Sequence, residues 1–109
     1  MSVVAVMKNA KNELDEGFSI PIASKYFFNS YWKKAIEELQ LEFLSRVEQG
    51  LEFTKEELPH IIEELHKVTK WKKGNLREGE KKVMEIRVGL LIEKLPEAFE
   101  DESNTVFIG

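Results

Sequence analysis

The sequence predicts a mainly α protein: a three- to four-helix bundle forming one domain over residues 1–109, with short N- and C-terminal strands that pair with each other. Three observations lead there. Between Ser24 and Gly50, Phe28, Trp32, Ile36, Leu39, Phe43 and Val47 recur at steps of three and four, which places them on one helix face. A second stripe runs through Leu58, Ile61, Ile62, Leu65, Val68 and Trp71 or Lys72, and a third region ending at Leu95 is apolar nearly all round. A chain of 109 residues is long enough to bury one core without staples.

The elements follow in order. Val3 to Met7 is β-branched and apolar and reads as a short strand, and Asn9 to Gly17 is a polar connection. Phe18 to Ile22 is an extended lead-in, because Pro21 removes an amide donor and holds Ile20 extended. Ser24 supplies an acceptor for an exposed amide of the first helical turn. From there one helix of about seven turns runs to a stop at Gly50, or it breaks at Asn29-Ser30 and restarts with Ser30 as cap. Leu51-Glu52-Phe53 links to Thr54-Lys55-Glu56-Glu57, which has the spacing of a capping box. Pro59 then requires either a loose first turn or a helix beginning near Leu58-Pro59.

Gly74-Asn75 ends the second helix, and the third starts between Asn75 and Glu80 and runs to Leu95, where Pro96 stops it. Its apolar positions Val83, Met84, Ile86, Val88, Leu90, Leu91, Ile92 and Leu95 cover more than one face, the pattern of a helix at the centre of a bundle. Gly89 inside it costs about 1 kcal/mol relative to alanine and is expected where a neighbouring helix crosses close to the backbone. Glu97 to Glu102 is an acidic exit, and Thr105 to Ile108 reads as the closing strand.

Composition narrows the function. Without cysteine there is no disulfide, thiolate metal site or cysteine nucleophile. The apolar run Met1 to Met7 is too short for a secretory core or a membrane span, so a cytoplasmic protein with no membrane partner is expected. His60 and His66 lie six residues apart, which on a helix separates them by about 120° and spoils a shared metal site. The adjacent pairs Glu37-Glu38, Glu56-Glu57, Glu63-Glu64 and Asp101-Glu102 share one watery environment, whereas acid/base catalysis needs carboxyls whose environments differ. The six glycines are scattered and form no phosphate loop. The expectation is a non-enzyme with no catalytic residues, metal, cofactor or small-molecule substrate.

Charge is segregated. Glu37 to Glu64 holds nine acidic residues against Arg46 and Lys55, a balance of −7 within a chain of net charge −4. Leu65 to Lys82 holds seven basic residues against Glu78 and Glu80, a balance of +5. The basic stretch, with Trp71 inside it, is the best argument for weak nucleic-acid binding, since lysines contact phosphates and an indole stacks on a base. The acidic whole and the absence of a reading motif argue against it.

Phe27-Phe28-x-x-Tyr31-Trp32, the helix after it, Gly50-x-x-Phe53-Thr54-x-Glu56-Glu57-Leu58, Glu64-Leu65 and Trp71 together resemble small bacterial immunity proteins. These are the cytoplasmic antidotes encoded beside polymorphic and contact-dependent growth-inhibition toxins. The likeness spans Phe18 to Trp71 and implies a protein that binds one cognate toxin domain and performs no chemistry. The acidic segment fits that role: Glu37, Glu38, Glu42, Glu56, Glu57, Glu63 and Glu64 would form a partner-binding face toward a basic cleft, anchored by Tyr31 or Tyr26. The competing expectation is a helical adaptor or regulatory homodimer that uses the broadly apolar third helix.

Overall fold

The computed structural model describes residues 2–8 and 17–109. It is a mixed α/β protein and corrects the expectation of a mainly α bundle. Four strands, β1 (Ser2–Met7), β2 (Ser19–Ser24), β3 (Leu51–Phe53) and β4 (Val106–Ile108), form one antiparallel sheet in the order β2-β1-β4-β3. The connection expected over Asn9 to Gly17 lies, except for Gly17, outside the described residues.

The strands alternate as a one-sided sheet requires. Val3, Ala5 and Met7 of β1, Ile20 and Ile22 of β2, Leu51 and Phe53 of β3, and Val106 and Ile108 of β4 are all buried in the core. The end strands are neighbours as expected, with Ala5 opposite Ile108 and Met7 opposite Val106. An isolated pair would be marginal. The two strands flanking it are not expected from the sequence pattern. β2 tolerates Pro21 because it is an edge strand, where a missing amide need not break a ladder. Its register shifts, with Val3 opposite Ala23 and Val4 opposite Pro21, so Ile22 is the extra residue of a bulge. β3 has only three residues, and its period-2 signal was too short to separate from a linker.

Between β2 and β3 lies a composite helix, α1: an α-turn Lys25–Phe27, a π-helical turn Phe28–Trp32 and an α-helix Lys33–Leu39. Ser24 caps it as predicted, its Oγ accepting from the Phe27 amide at 3.1 Å. The weak point at Asn29-Ser30 neither continues as α-helix nor restarts. It widens into the π turn, closed by the Lys33 amide bonding to the Phe28 carbonyl. α1 ends at Leu39, well short of Gly50, because Gln40 adopts the left-handed conformation (φ 53°, ψ 52°). The Gln40 amide then meets the Glu37 carbonyl at 3.4 Å and the Leu41 amide meets Ile36 at 3.1 Å, the paired bonds of a Schellman ending. A 3₁₀ helix, Leu44–Gln49, follows.

Gly50 stops that 3₁₀ helix instead. It has φ 99°, and a Cβ there would come within 2.8 Å of the Phe107 ring on β4. Glycine is therefore required both by backbone conformation and by the aromatic laid over it.

Helices α2 (Leu58–Asn75) and α3 (Glu78–Ala98) pack on each other and, with α1, on the sheet's buried face. α2 starts at Leu58 with Pro59 next, the second of the two expected arrangements. α3 does not stop at Pro96 but runs two residues further, to Ala98, whose carbonyl accepts from Asn104 Nδ2 at 3.0 Å.

Nor is α3 central. Met84, Val88, Leu91, Leu95 and Ala98 make a single buried stripe, while Val83 and Ile86 face outward. Among the described residues a Cβ on Gly89 would meet nothing within 4 Å, so none of the described helices makes the expected close approach there. Gly89→Ala should accordingly stabilise the protein by about 1 kcal/mol, the propensity difference alone. Urea denaturation would show a higher midpoint at unchanged slope, and a lower midpoint would contradict this placement of α3.

Candidate functional site

The proposed partner-facing residues do not form one wet acidic face. Glu64 is the clearest departure. It is only 8% exposed, and its carboxylate points inward to accept the Phe43 and Leu44 amides at 2.9 Å each. These are orphan donors at the start of the 3₁₀ helix, and one carboxylate satisfies both. Glu64 is therefore a structural clasp between α2 and the start of the 3₁₀ helix.

Other acids are also engaged. Glu38 Oε1 accepts from the Trp71 indole N–H at 3.1 Å, fixing α1 to α2. Glu57 Oε1 accepts from the Thr54 amide at 3.1 Å and its hydroxyl at 3.2 Å. This keeps one half of the expected capping box, while the Glu57 amide bonds to the Thr54 carbonyl and not to the hydroxyl. Glu42 pairs with Arg46 at 3.4 Å. Glu37 borders a cleft shared with Lys33, Ser45 and Glu48. There the Glu48 carboxylate, bonded to Lys33 Nζ at 2.8 Å, raises the lysine pKa above its ordinary value, and Glu37 adds to it. Glu56 and Glu63 remain exposed.

Clasping Phe43 creates a feature that has no signal in the sequence. The Phe43 ring stacks on His60 (centroids 5.7 Å, planes 15° apart), and the Arg46 guanidinium lies 5.1 Å from its centre. Arginine and phenylalanine from the 3₁₀ segment and histidine from α2 thus form one surface stack beside Glu42. On a continuous helix Phe43 belongs to the buried stripe, and only the turn at Gln40 redirects it.

Tyr31 lies elsewhere. It is half-buried against Phe27, with ring centroids 4.7 Å apart and planes at 54°. Tyr26, Phe27 and Tyr31 line one side of a groove of about 340 Å³, and Gly79, Glu80 and Val83 at the start of α3 line the other. The large apolar side chains most exposed among the described residues are Tyr26 (66%), Val83 (44%) and Ile86 (59%). Ile86 is one helical turn beyond Val83, so the groove continues into an apolar strip on α3.

In the basic stretch, Trp71 is buried (7% exposed) with its N–H committed to Glu38, so it offers no ring for a base to stack on. Lys72 is likewise buried and lies 3.6 Å from Glu85, and Lys81 lies 3.4 Å from Glu78. Among the described residues no group of three or more His, Asp or Glu is placed to hold a metal ion, and no helix is long and apolar enough to cross a membrane. Comparison with protein-family models, curated proteins and solved structures gives no match.

Proposed function

We propose that the chain is a non-enzymatic, cytoplasmic binding protein that captures another protein, in the manner of an immunity protein neutralising a cognate toxin domain. The observation that carries the protein-binding part is the exposed patch of Tyr26, Val83 and Ile86 beside the half-buried Tyr31, in a domain whose other large apolar side chains are mostly packed away. Contiguous exposed aromatic and aliphatic groups of this kind mark contact surfaces, and tyrosine is a favoured anchor. The exposed acids Glu37, Glu42, Glu56 and Glu63 contribute long-range attraction to a basic partner, which affects association rate more than affinity. The toxin as partner rests on the resemblance over Phe18 to Trp71.

Co-expression with the product of the neighbouring gene tests both parts. The wild-type chain should rescue growth and co-purify with that product. A Tyr26→Glu/Ile86→Glu variant, both positions being exposed, should keep its melting temperature and lose at least about tenfold in affinity. A harmless neighbour would sink the antidote reading, and full affinity in the double variant would sink the patch. The second reading, a homodimer through α3, draws on the same exposed Val83 and Ile86. Light scattering at micromolar concentration showing twice the chain mass, abolished by Ile86→Glu, would favour it.

A further inference from the structure

We propose that the groove between α1 and the start of α3 receives an arginine side chain from the partner protein. This deepens the protein-binding reading and rests on it. The groove is built for a planar cation in two respects. Its α1 wall carries three aromatic rings, Phe27 and Tyr31 in contact at 4.7 Å between centroids and tilted by 54°, and Tyr26 standing 66% exposed. Its α3 wall carries the half-buried Glu80 beside Val83, and Glu80 makes no ion pair with any described residue.

Each alternative occupant leaves one wall unmatched. An aliphatic side chain would cover the rings but strip water from the Glu80 carboxylate without replacing it. An anionic group would face both that carboxylate and the negative faces of the rings. Lysine matches the charge, but arginine matches charge and shape together: its guanidinium is flat, stacks on aromatic faces, sheds water more easily than an ammonium and forks onto a carboxylate. A groove of about 340 Å³ accommodates such a side chain with its methylene stem along Val83.

The test is an NMR titration of the full chain with N-acetyl-arginine-methylamide, set against the neutral isostere N-acetyl-citrulline-methylamide. Saturable shifts are expected in the Tyr26 and Tyr31 ring signals and the Val83 methyls. The arginine probe should bind about fivefold or more tightly than citrulline, Glu80→Gln should weaken it about threefold to tenfold, and Tyr26→Ala should remove the saturation. Equal binding of the two probes overturns the proposal, as do shifts confined to the Glu56 and Glu63 surface or no saturable shift at all. Its failure is separable from failure of the protein-binding reading. A groove indifferent to arginine, with partner capture still abolished by Tyr26→Glu/Ile86→Glu, removes only the arginine.

Discussion

Glu64→Leu should destabilise the protein by about 3–5 kcal/mol, a large part of the total stability of a domain this size. The leucine is close in volume and sits on a helix that tolerates it, so neither packing nor propensity decides the result. The loss is of an acceptor. Phe43 and Leu44 each donate a backbone amide to Glu64 at 2.9 Å, and no other group takes over either bond. Hydrogen bonds to a charged partner contribute about 1.5–3 kcal/mol each, and the abandoned amides add their own desolvation. Glu64→Gln keeps one carbonyl oxygen able to accept, so it should cost about half as much. A melting temperature lowered by roughly 12–25 °C for leucine, and by about half that for glutamine, is the expected ordering. Equal losses would mean that one remaining carbonyl oxygen retains nothing, and that the negative charge or both oxygens together hold the two amides. The Phe43–His60 stack should loosen in step, visible as a shift of the His60 ring signals, because the Phe43 ring is set by the amide beside it.

The same clasp shows what was legible in the sequence and what was not. Ser24 as a helix cap, Thr54 tied to Glu57 and Asn75 as a helix end follow from local chemistry, and the structure has each of them; of the two starts Pro59 allows, it has the one at Leu58-Pro59. The helical stripe through Phe28, Trp32 and Ile36 was also readable, since three- and four-residue steps survive even a π turn. Helix termination at Leu39 was not. It depends on a left-handed glutamine, a conformation that glycine or asparagine would have signalled and Gln40 does not. With that turn unseen, Glu64 read as the wet side of one helix facing nothing. Only the reversal after Leu39 brings Phe43 and Leu44 over it.

The sheet was half visible for a related reason. The end strands announce themselves by β-branched runs, but β2 carries a proline and β3 only three residues. Their strand character comes from tertiary pairing with β1 and β4, not from propensity. Once β3 is a strand, Leu51 and Phe53 stop being a linker and become core, and the helices have a sheet to cover. This is why a bundle was the wrong architecture for a correctly placed set of helices. At the candidate site, sequence names Tyr26 and Tyr31 as exposed aromatics; Tyr26 is exposed, whereas Tyr31 is half-buried against Phe27. Their meeting with Glu80 and Val83 could not be read there, because the partners lie about fifty residues away and the apolar positions of the third helix cover more than one face.

Replacing Trp32 separates packing from polarity in the core. Trp32→Ala should cost about 3–5 kcal/mol, the range for removing a large buried aromatic, because the side chain is 1% exposed and α1, α2, α3 and β4 all supply neighbours around it. Trp32→Phe should cost far less than its volume change alone would imply. The Trp32 indole Nε1–H is buried with no hydrogen-bond partner among the described residues, and the side chain shares a small void with Ile22, Phe28, Leu44, Ile61 and Leu91. The adjoining void of about 10 Å³ has wholly apolar walls, so a water there would lack the two to four polar partners it needs. The native protein thus carries the desolvation cost of an unmade bond, about 1–3 kcal/mol, which phenylalanine removes. That relief offsets much of the cavity left by the smaller ring, and the net loss should be within about 1.5 kcal/mol. Denaturant unfolding of the two variants checks the argument. A phenylalanine variant nearly as damaged as the alanine one would show that the indole N–H is satisfied in solution, and the core around α1 would then have to open to a polar group that no described neighbour supplies.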